Sequence, residues 1–292
     1  MDWMYEWGLS VIRVFQSNTH PLLVAAVKAV TCLGAPEAYL IVIPMIFWCL
    51  DAKKGIKLGM FSLLAVMLNI GIKQVLRVER PFVIDPTVAL AYESGYSTPS
   101  AHAMGMAFII PYSAFLFRWK KRAKIAASVL LPLLIGLTRI YLGVHYPSDV
   151  FLGWCCGYLF AAGVILFEKD AERLLAPLRS SMKILIAAVI AFFGIAWQKK
   201  MTPPAAMFFG LVCGYIVCMK KIHFDARRGT RMQKILRLLV GFACLAVVAA
   251  VQHFLCPQRT SDYYLIARFI GAAAAGFAAS CLAPAVFRLL KL

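Results

Sequence analysis

Three short stretches of this 292-residue chain carry residue types that suit phosphate chemistry. The first, KQVLRVERP, places Lys73, Arg77 and Arg80 at spacings of four and three before Pro81. On a helix such residues share one face, and Pro81 is expected to end it, since a residue before proline avoids helical dihedrals. Three cations at a membrane edge either snorkel to lipid phosphates or clamp a dianion, with guanidinium forks on paired oxygens and Lys as a point charge. The second, Tyr92 to Met104, reads YESGYSTPSAHAM and lies between two apolar runs. Thr98 is a fair N-cap and Pro99 suits the first helical position. The NH groups of Ser100, Ala101 and His102 then fall in the unpaired first turn, a ready anion site with His102 at its mouth. A capped helix with an incidental His fits the same residues. The third, TRIYLGVHYPSD, sets His145 just before a helix opened by Pro147, with Asp149 in its first turn and Arg139 closing the preceding segment. Asp149 can reach a ring NH of His145, select its tautomer and leave the other nitrogen free to attack; an Asp-His pair that only caps the helix is the plainer reading.

Taken together, the pieces point to phosphoryl transfer. Cations and NH groups would hold the equatorial oxygens while one His attacks and the other protonates the leaving oxygen. No carboxylate cluster offers a metal cage, so neither metal nor cofactor is expected. The nine cysteines form no CxxC pair or Cys/His set with metal spacing and are read as buried small hydrophobes. His223 and His253 have no sequence partners and are read as structural.

The elements that must position these residues are membrane helices. The chain is 62% hydrophobic and 15% charged, and its mean hydropathy is positive. This excludes an ordinary soluble domain. The net charge of +18 comes in loop-sized clumps between apolar runs, which argues for cytoplasmic loops and against nucleic-acid binding. Candidate segments are 20–34, 37–50, 56–76, 103–117, 125–141, 148–167, 183–197, 204–219, 235–255 and 264–288, ten if all span. The first is weakened by Lys28 and either spans or lies partly in the interface. The N-terminus has acids and aromatics in place of a basic n-region, so no cleavable signal is expected. Trp3, Tyr5 and Trp7 suit an interfacial segment over 1–19.

The basic loops 51–57, 118–124 and 220–234 fall on one side if the spans alternate, and the positive-inside rule makes that side cytoplasmic. The stretches 77–101 and 142–147 then face the extracytoplasmic or lumenal side. Lys199 and Lys200 also fall outside, where they snorkel or serve a lipid headgroup, or segment 183–197 does not cross fully. Small residues at four-residue spacing, Gly210 with Gly214 and Gly271 with Ala275 and Ala279, suit close helix packing in the last third.

The spacing Lys73-x6-Arg80-Pro81, then Pro99-Ser100-Ala101-His102, then Arg139-x5-His145-x3-Asp149 resembles the three-part signature of the type 2 phosphatidic acid phosphatase superfamily, over about 37–167. The resemblance implies an all-α, polytopic membrane helix bundle. Its parts would be a six-helix phosphatase core at 20–167 and an extension of about four helices at 168–292. It implies a metal-independent lipid phosphate phosphatase with a phosphohistidine intermediate: His145 as nucleophile, Asp149 as its orienting partner and His102 as general acid. Lys73, Arg80, Ser100, Ala101 and Arg139 would bind phosphate. Arg77 lies outside the signature and is a possible headgroup contact. Ala101 stands where Gly is usual and Thr138 where Ser is usual. Within the family, the pattern from Tyr92 to Met104 and the C-terminal extension are similar to the sphingosine-1-phosphate phosphatase branch. A lipid phosphotransferase on the same site, and a transporter or scaffold that keeps the fold, remain as alternatives. The expected partners are the bilayer and a lipid phosphate substrate.

Overall fold

The computed structural model describes residues 2–292. Among these the chain is helical, with no strand. Seven helices are long and apolar enough to cross a membrane. They run over Ala52–Ile84, Lys121–Tyr141, Pro147–Leu175, Ser180–Trp197, Lys199–Ile222, Arg231–Leu255 and Tyr264–Leu289. The protein is a multi-pass membrane protein built as a helix bundle.

Two of the ten expected segments do not stand apart. Segments 20–34 and 37–50 form a pair, Pro21–Gly34 and Pro36–Cys49, bent by 47° at a short break, the geometry of a broken span or a re-entrant loop. Pro36 opens the second helix after Ala35 has left the first in an extended conformation. The helix Ala101–Leu116 is apolar but shorter than the others.

The chain divides into two compact units, Met1–Tyr39 with Leu68–Glu168, and Leu40–Met67 with Lys169–Leu292. The first holds every residue singled out for chemistry. Its elements are α1 (Asp2–Phe15), α2 (Pro21–Thr31), the end of α4 (Ala52–Leu76), the short α5 (Pro81–Ile84), α6 (Ala101–Leu116), α7 (Lys121–Tyr141) and the start of α8 (Pro147–Leu175); the start of α3 (Pro36–Cys49) belongs here too. Leu9 and Ile12 of α1 pack with Val88, Ile140, Tyr146 and Val150. Gln16 donates to the carbonyls of Val88 and Tyr141 at 3.0 and 2.7 Å. Val24 and Val27 of α2 pack against Tyr141, Leu142 and Val144. Both N-terminal helices therefore cover the end of the unit where α7 finishes and α8 begins.

Two glycines shape that end. Gly143, at φ +69°, makes the turn between α7 and α8 in a conformation that side chains rarely adopt. Gly153 of α8 faces the backbone of α6, where an added Cβ would lie 2.8 Å from the Ser100 carbonyl oxygen. Its bare backbone lets α8 bring Asp149 alongside the segment that opens α6.

The second unit contains α9 (Ser180–Trp197), α10 (Thr202–Val217), α11 (Arg231–Leu255), α12 (Tyr264–Phe277) and α13 (Ala283–Leu289). Trp48 is fully buried there among Phe287, Phe242 and neighbours, and its indole NH donates to the Ala279 carbonyl at 2.8 Å. Gly210 and Gly214 of α10 meet the backbone of α12, as small residues do in close membrane packing. Gly271 instead faces the Gln252 side chain of α11.

Candidate active site

The site is built by the three stretches, each reaching it in its own way. Helix α4 ends at Leu76, not at Pro81. Arg77 takes a left-handed φ of 50°, and Pro81 opens α5 at its first position. Lys73, Arg77 and Arg80 therefore do not share a helix face: the break at Arg77 redirects the chain. Arg80 is buried and turned inward. Arg77 is exposed, and its Nε donates to the Gln74 carbonyl of its own helix at 2.9 Å.

The loop before α6 also differs from expectation. Ser100, not Thr98, is the N-cap, and α6 starts at Ala101. Thr98, joined to Pro99 by a cis peptide bond, turns its hydroxyl onto Asp149 Oδ1. The Ser100 NH is not free, for it donates to the Asp149 carbonyl at 3.0 Å. The free first-turn NH groups are those of Ala101 onward.

The third stretch folds as its spacing predicts, with Pro147 opening α8 and Asp149 in its first turn. Asp149 is fully buried. Its Oδ2 accepts from Ser97 Oγ at 2.5 Å and from the Tyr146 NH at 2.8 Å. His145 Nδ1 lies 3.4 Å from Asp149 Oδ2 and 3.2 Å from Ser97 Oγ. The Ser97 hydroxyl, which donates to the carboxylate, is thus the nearer acceptor for a ring NH, and it relays the ring to Asp149. On the other side of the ring, Nε2 is 3.2 Å from Arg80 Nη1. A guanidinium has only donors, so Nε2 carries the lone pair and Nδ1 the proton. Burial pushes the His145 imidazole down to about 4, with Asp149 pulling back upward in part. The ring is neutral at ordinary pH.

Lys73 and Arg80 are anchored by backbone carbonyls, Arg139 by a hydroxyl. Lys73 Nζ donates to the carbonyls of Tyr96 and Ser97 at 2.6 and 2.8 Å. Arg80 donates to those of Gly95 at 2.9 Å, Val144 at 3.0 Å and Ser94 at 3.2 Å. Arg139 Nη1 donates to Thr31 Oγ1 at 2.8 Å. The Thr138 hydroxyl faces Thr31 and its own helix carbonyl at Ile135.

One residue that the sequence reading passed over sits at the centre. Glu93 pairs with Arg139 Nη2 through Oε1 and with Arg80 Nη1, at 3.1 Å, through Oε2. His102 Nδ1 lies 3.9 Å from Oε1, and His145 Nε2 lies 3.8 Å from Oε2. Burial works to raise the Glu93 carboxyl, but its charged neighbours, Arg139 foremost and Arg80 with it, hold it below its usual range. Both imidazoles and both arginines thus converge on one carboxylate. Two buried polar atoms nearby, Arg139 Nε and Ser100 Oγ, have no protein partner, so the site keeps unused donors. The signal that could have found Glu93 is electrostatic: buried arginines need a counter-charge, and of the two acids between them in sequence, Asp85 and Glu93, Asp85 pairs with Arg13 instead. Ser97 and Thr98 carried no signal beyond their hydroxyls. Among the described residues no group of three or more His, Cys, Asp or Glu could hold a metal ion.

A helix bundle that gathers two imidazoles and two arginines about one carboxylate, beside a helix N-terminus, is the frame in which the chain's relatives are to be read. The chain matches the PAP2 superfamily over residues 54–173 and the transmembrane extension of PAP2 superfamily phosphatases over 202–292. It belongs to the PAP2 superfamily. It is 36% identical over 92 residues to phosphatidylglycerophosphatase B of Bacillus subtilis, covering 29% of this chain and 45% of that protein. It is 35% identical over 132 residues to sphingosine-1-phosphate phosphatase 1 of Mus musculus, covering 42% and 30%. The chain thus spans less than half the length of these relatives. The crystal structure of a transmembrane PAP2-type phosphatidylglycerolphosphate phosphatase from Bacillus subtilis shares the fold. The TM-score is 0.51 at 24% identity, over 58% of this chain and 88% of that one.

Proposed function

We propose that this protein is an integral membrane phosphatase that removes phosphate from a lipid phosphate, a monoester or a diphosphate, without a metal ion. The observation that carries this reading is the convergence of His102 and His145 on the carboxylate that bridges Arg80 and Arg139. A phosphoryl group in the carboxylate's place would meet an attacking nitrogen, a proton donor and two guanidinium forks.

In the first step the His145 Nε2 lone pair forms a bond to phosphorus as the bond to the lipid oxygen breaks, and His102 protonates that oxygen. Arg80, Arg139, the Ser100 hydroxyl and the first-turn NH groups of α6, from Ala101 on, stabilise the phosphoryl oxygens; Lys73 adds charge. The Nδ1 proton stays directed at Ser97 and Asp149, which stabilise the ring as it gains positive charge. In the second step His102 takes a proton from water, the water oxygen attacks phosphorus, and the bond to His145 breaks.

The relatives suggest the first lipids to try: phosphatidylglycerophosphate, sphingosine-1-phosphate and, from a 31%-identical undecaprenyl-diphosphatase of Sulfolobus acidocaldarius, undecaprenyl diphosphate. Purified protein in mixed micelles should release inorganic phosphate from at least one, equally with and without a chelator. A phosphoenzyme stable to alkali and labile to acid should be trapped on His145. Phosphate found only on an added alcohol would identify a transferase; chelator-sensitive turnover would contradict the metal-free step.

The site is placed on the extracytoplasmic face in this reading. Helix α6 leads from His102 to the basic turn Arg118, Lys120, Lys121, Arg122 and Lys124, and α7 returns to Arg139. The cationic turn thus lies at the end remote from the site, where the positive-inside rule puts the cytoplasm. A Cys introduced at Ser94 should react with an impermeant maleimide in intact cells, and one at Trp119 should not.

A further inference from the structure

The phosphate cradle already holds an anion of the protein's own. Glu93 engages both arginines, lies within 4 Å of a nitrogen of each imidazole, and remains partly open to solvent, its side chain 28% exposed. Its loop is held by the cations that face the cradle: Arg80 grips the carbonyls of Ser94 and Gly95, and Lys73 those of Tyr96 and Ser97. A phosphoryl group cannot share those guanidinium edges with the carboxylate, so it must displace it.

Resting on the phosphatase reading, we propose that Glu93 is a specificity-determining residue, an internal anion that substrate phosphate must outcompete and that phosphodiester headgroups of the bilayer cannot. The physical basis is charge. A carboxylate and a phosphodiester each bring one negative charge to the arginines, and the carboxylate is tethered, which gives it a high effective concentration. A phosphomonoester or diphosphate brings close to two or more charges and further acceptor oxygens, enough to engage Arg139 Nε and Ser100 Oγ, which the carboxylate leaves without partners. A cationic pocket at a membrane surface is surrounded by phosphodiesters in vast excess. Without a counter-ion of its own it would fill with them.

The test compares wild type with Glu93→Gln and Glu93→Asp in detergent, using inorganic phosphate and phosphatidylglycerol as probes. Glu93→Gln should bind inorganic phosphate at least about tenfold more tightly by calorimetry, a shift of about 1.4 kcal/mol. Phosphatidylglycerol, a weak competitor of phosphate binding to wild type, should become a strong one. Glu93→Asp, which keeps the charge but is one methylene too short to bridge both arginines, should fall between. If Glu93→Gln is less stable, phosphate must raise its melting temperature by more than it raises that of wild type. Unchanged or weaker phosphate binding in Glu93→Gln, or an unaltered ratio of phosphate to phosphatidylglycerol affinity, overturns the proposal. Binding needs no turnover. A wild type that hydrolyses no lipid phosphate would therefore sink the phosphatase reading alone, and an active wild type with an indifferent Glu93→Gln would sink this inference alone.

Discussion

His145 Nε2 sits 3.2 Å from Arg80 Nη1, and a guanidinium can only donate. That single relationship assigns the tautomer of the ring. It turns the lone pair toward the carboxylate of Glu93 and the proton toward Ser97 and Asp149.

Removing either imidazole should stop turnover in a different way. His145→Ala should lose on the order of 10³-fold or more in kcat, with no phosphoenzyme trapped. His102→Ala should lose about 10²–10⁴-fold yet still form the phosphoenzyme from a substrate with an activated leaving group, since such a group needs no proton. Gel filtration and melting in detergent should match wild type for both. Equal recovery of the two variants with the activated substrate would refute the division of roles.

Ser97 tests the relay. Its hydroxyl lies between His145 Nδ1 and Asp149 Oδ2, at 3.2 and 2.5 Å. A hydrogen bond to a charged group contributes about 1.5–3 kcal/mol, so Ser97→Ala should lower kcat about 10–100-fold with KM little changed. Ser97→Thr should restore part of it. Asp149→Asn, which puts an amide among donors, should cost more than Ser97→Ala. A Ser97→Ala enzyme as fast as wild type would show that Asp149 orients the ring unaided.

The acid limb should be displaced. His145 attacks as the neutral ring, and burial holds it neutral down to about pH 4, against about 6.5 for an unperturbed imidazole. Competence is therefore present above that point and lost as pH falls through it. The substrate's second ionisation near pH 6 also shapes a rate profile, so the ring should be read by itself. Carbon-13 shifts of labelled histidine, assigned against His145→Ala, should show one ring still neutral at pH 5. Titration of His145 near 6.5 would contradict the burial found here.

Packing behind the site should be as sensitive as the site. Gly153→Ala places a methyl 2.8 Å from the Ser100 carbonyl and should cost about 1–3 kcal/mol, with kcat/KM falling as Asp149 moves off the α6 segment. Gly163 on the same helix has nothing within 4 Å of an added Cβ, so Gly163→Ala should be neutral or slightly stabilising. Equal melting temperatures for the two would mean α6 and α8 are less tightly apposed than described.

The sequence by itself determined the class of protein and where along its helices most of the singled-out residues fall. Apolar runs of spanning length require helices in a bilayer. Local spacing set His145 and Asp149 about the start of one helix and His102 in the first turn of another, because a helix first turn is settled within a few residues. Contacts between distant residues were not legible in that way. The left-handed break at Arg77 splits a cationic row that periodicity joined. Thr98 turns to Asp149 in place of capping α6. The bend between Gly34 and Pro36 joins into one bent pair two segments that the sequence reads apart. Glu93 lies in the stretch from Tyr92 to Met104 with no spacing to mark it out, and only folding brings it between Arg80 and Arg139. Thr98 with Asp149 and Glu93 with Arg139 are partners tens of residues apart, and pairing across such separations follows from how helices pack and where buried charges find their opposites. Spacing along the chain does not encode it.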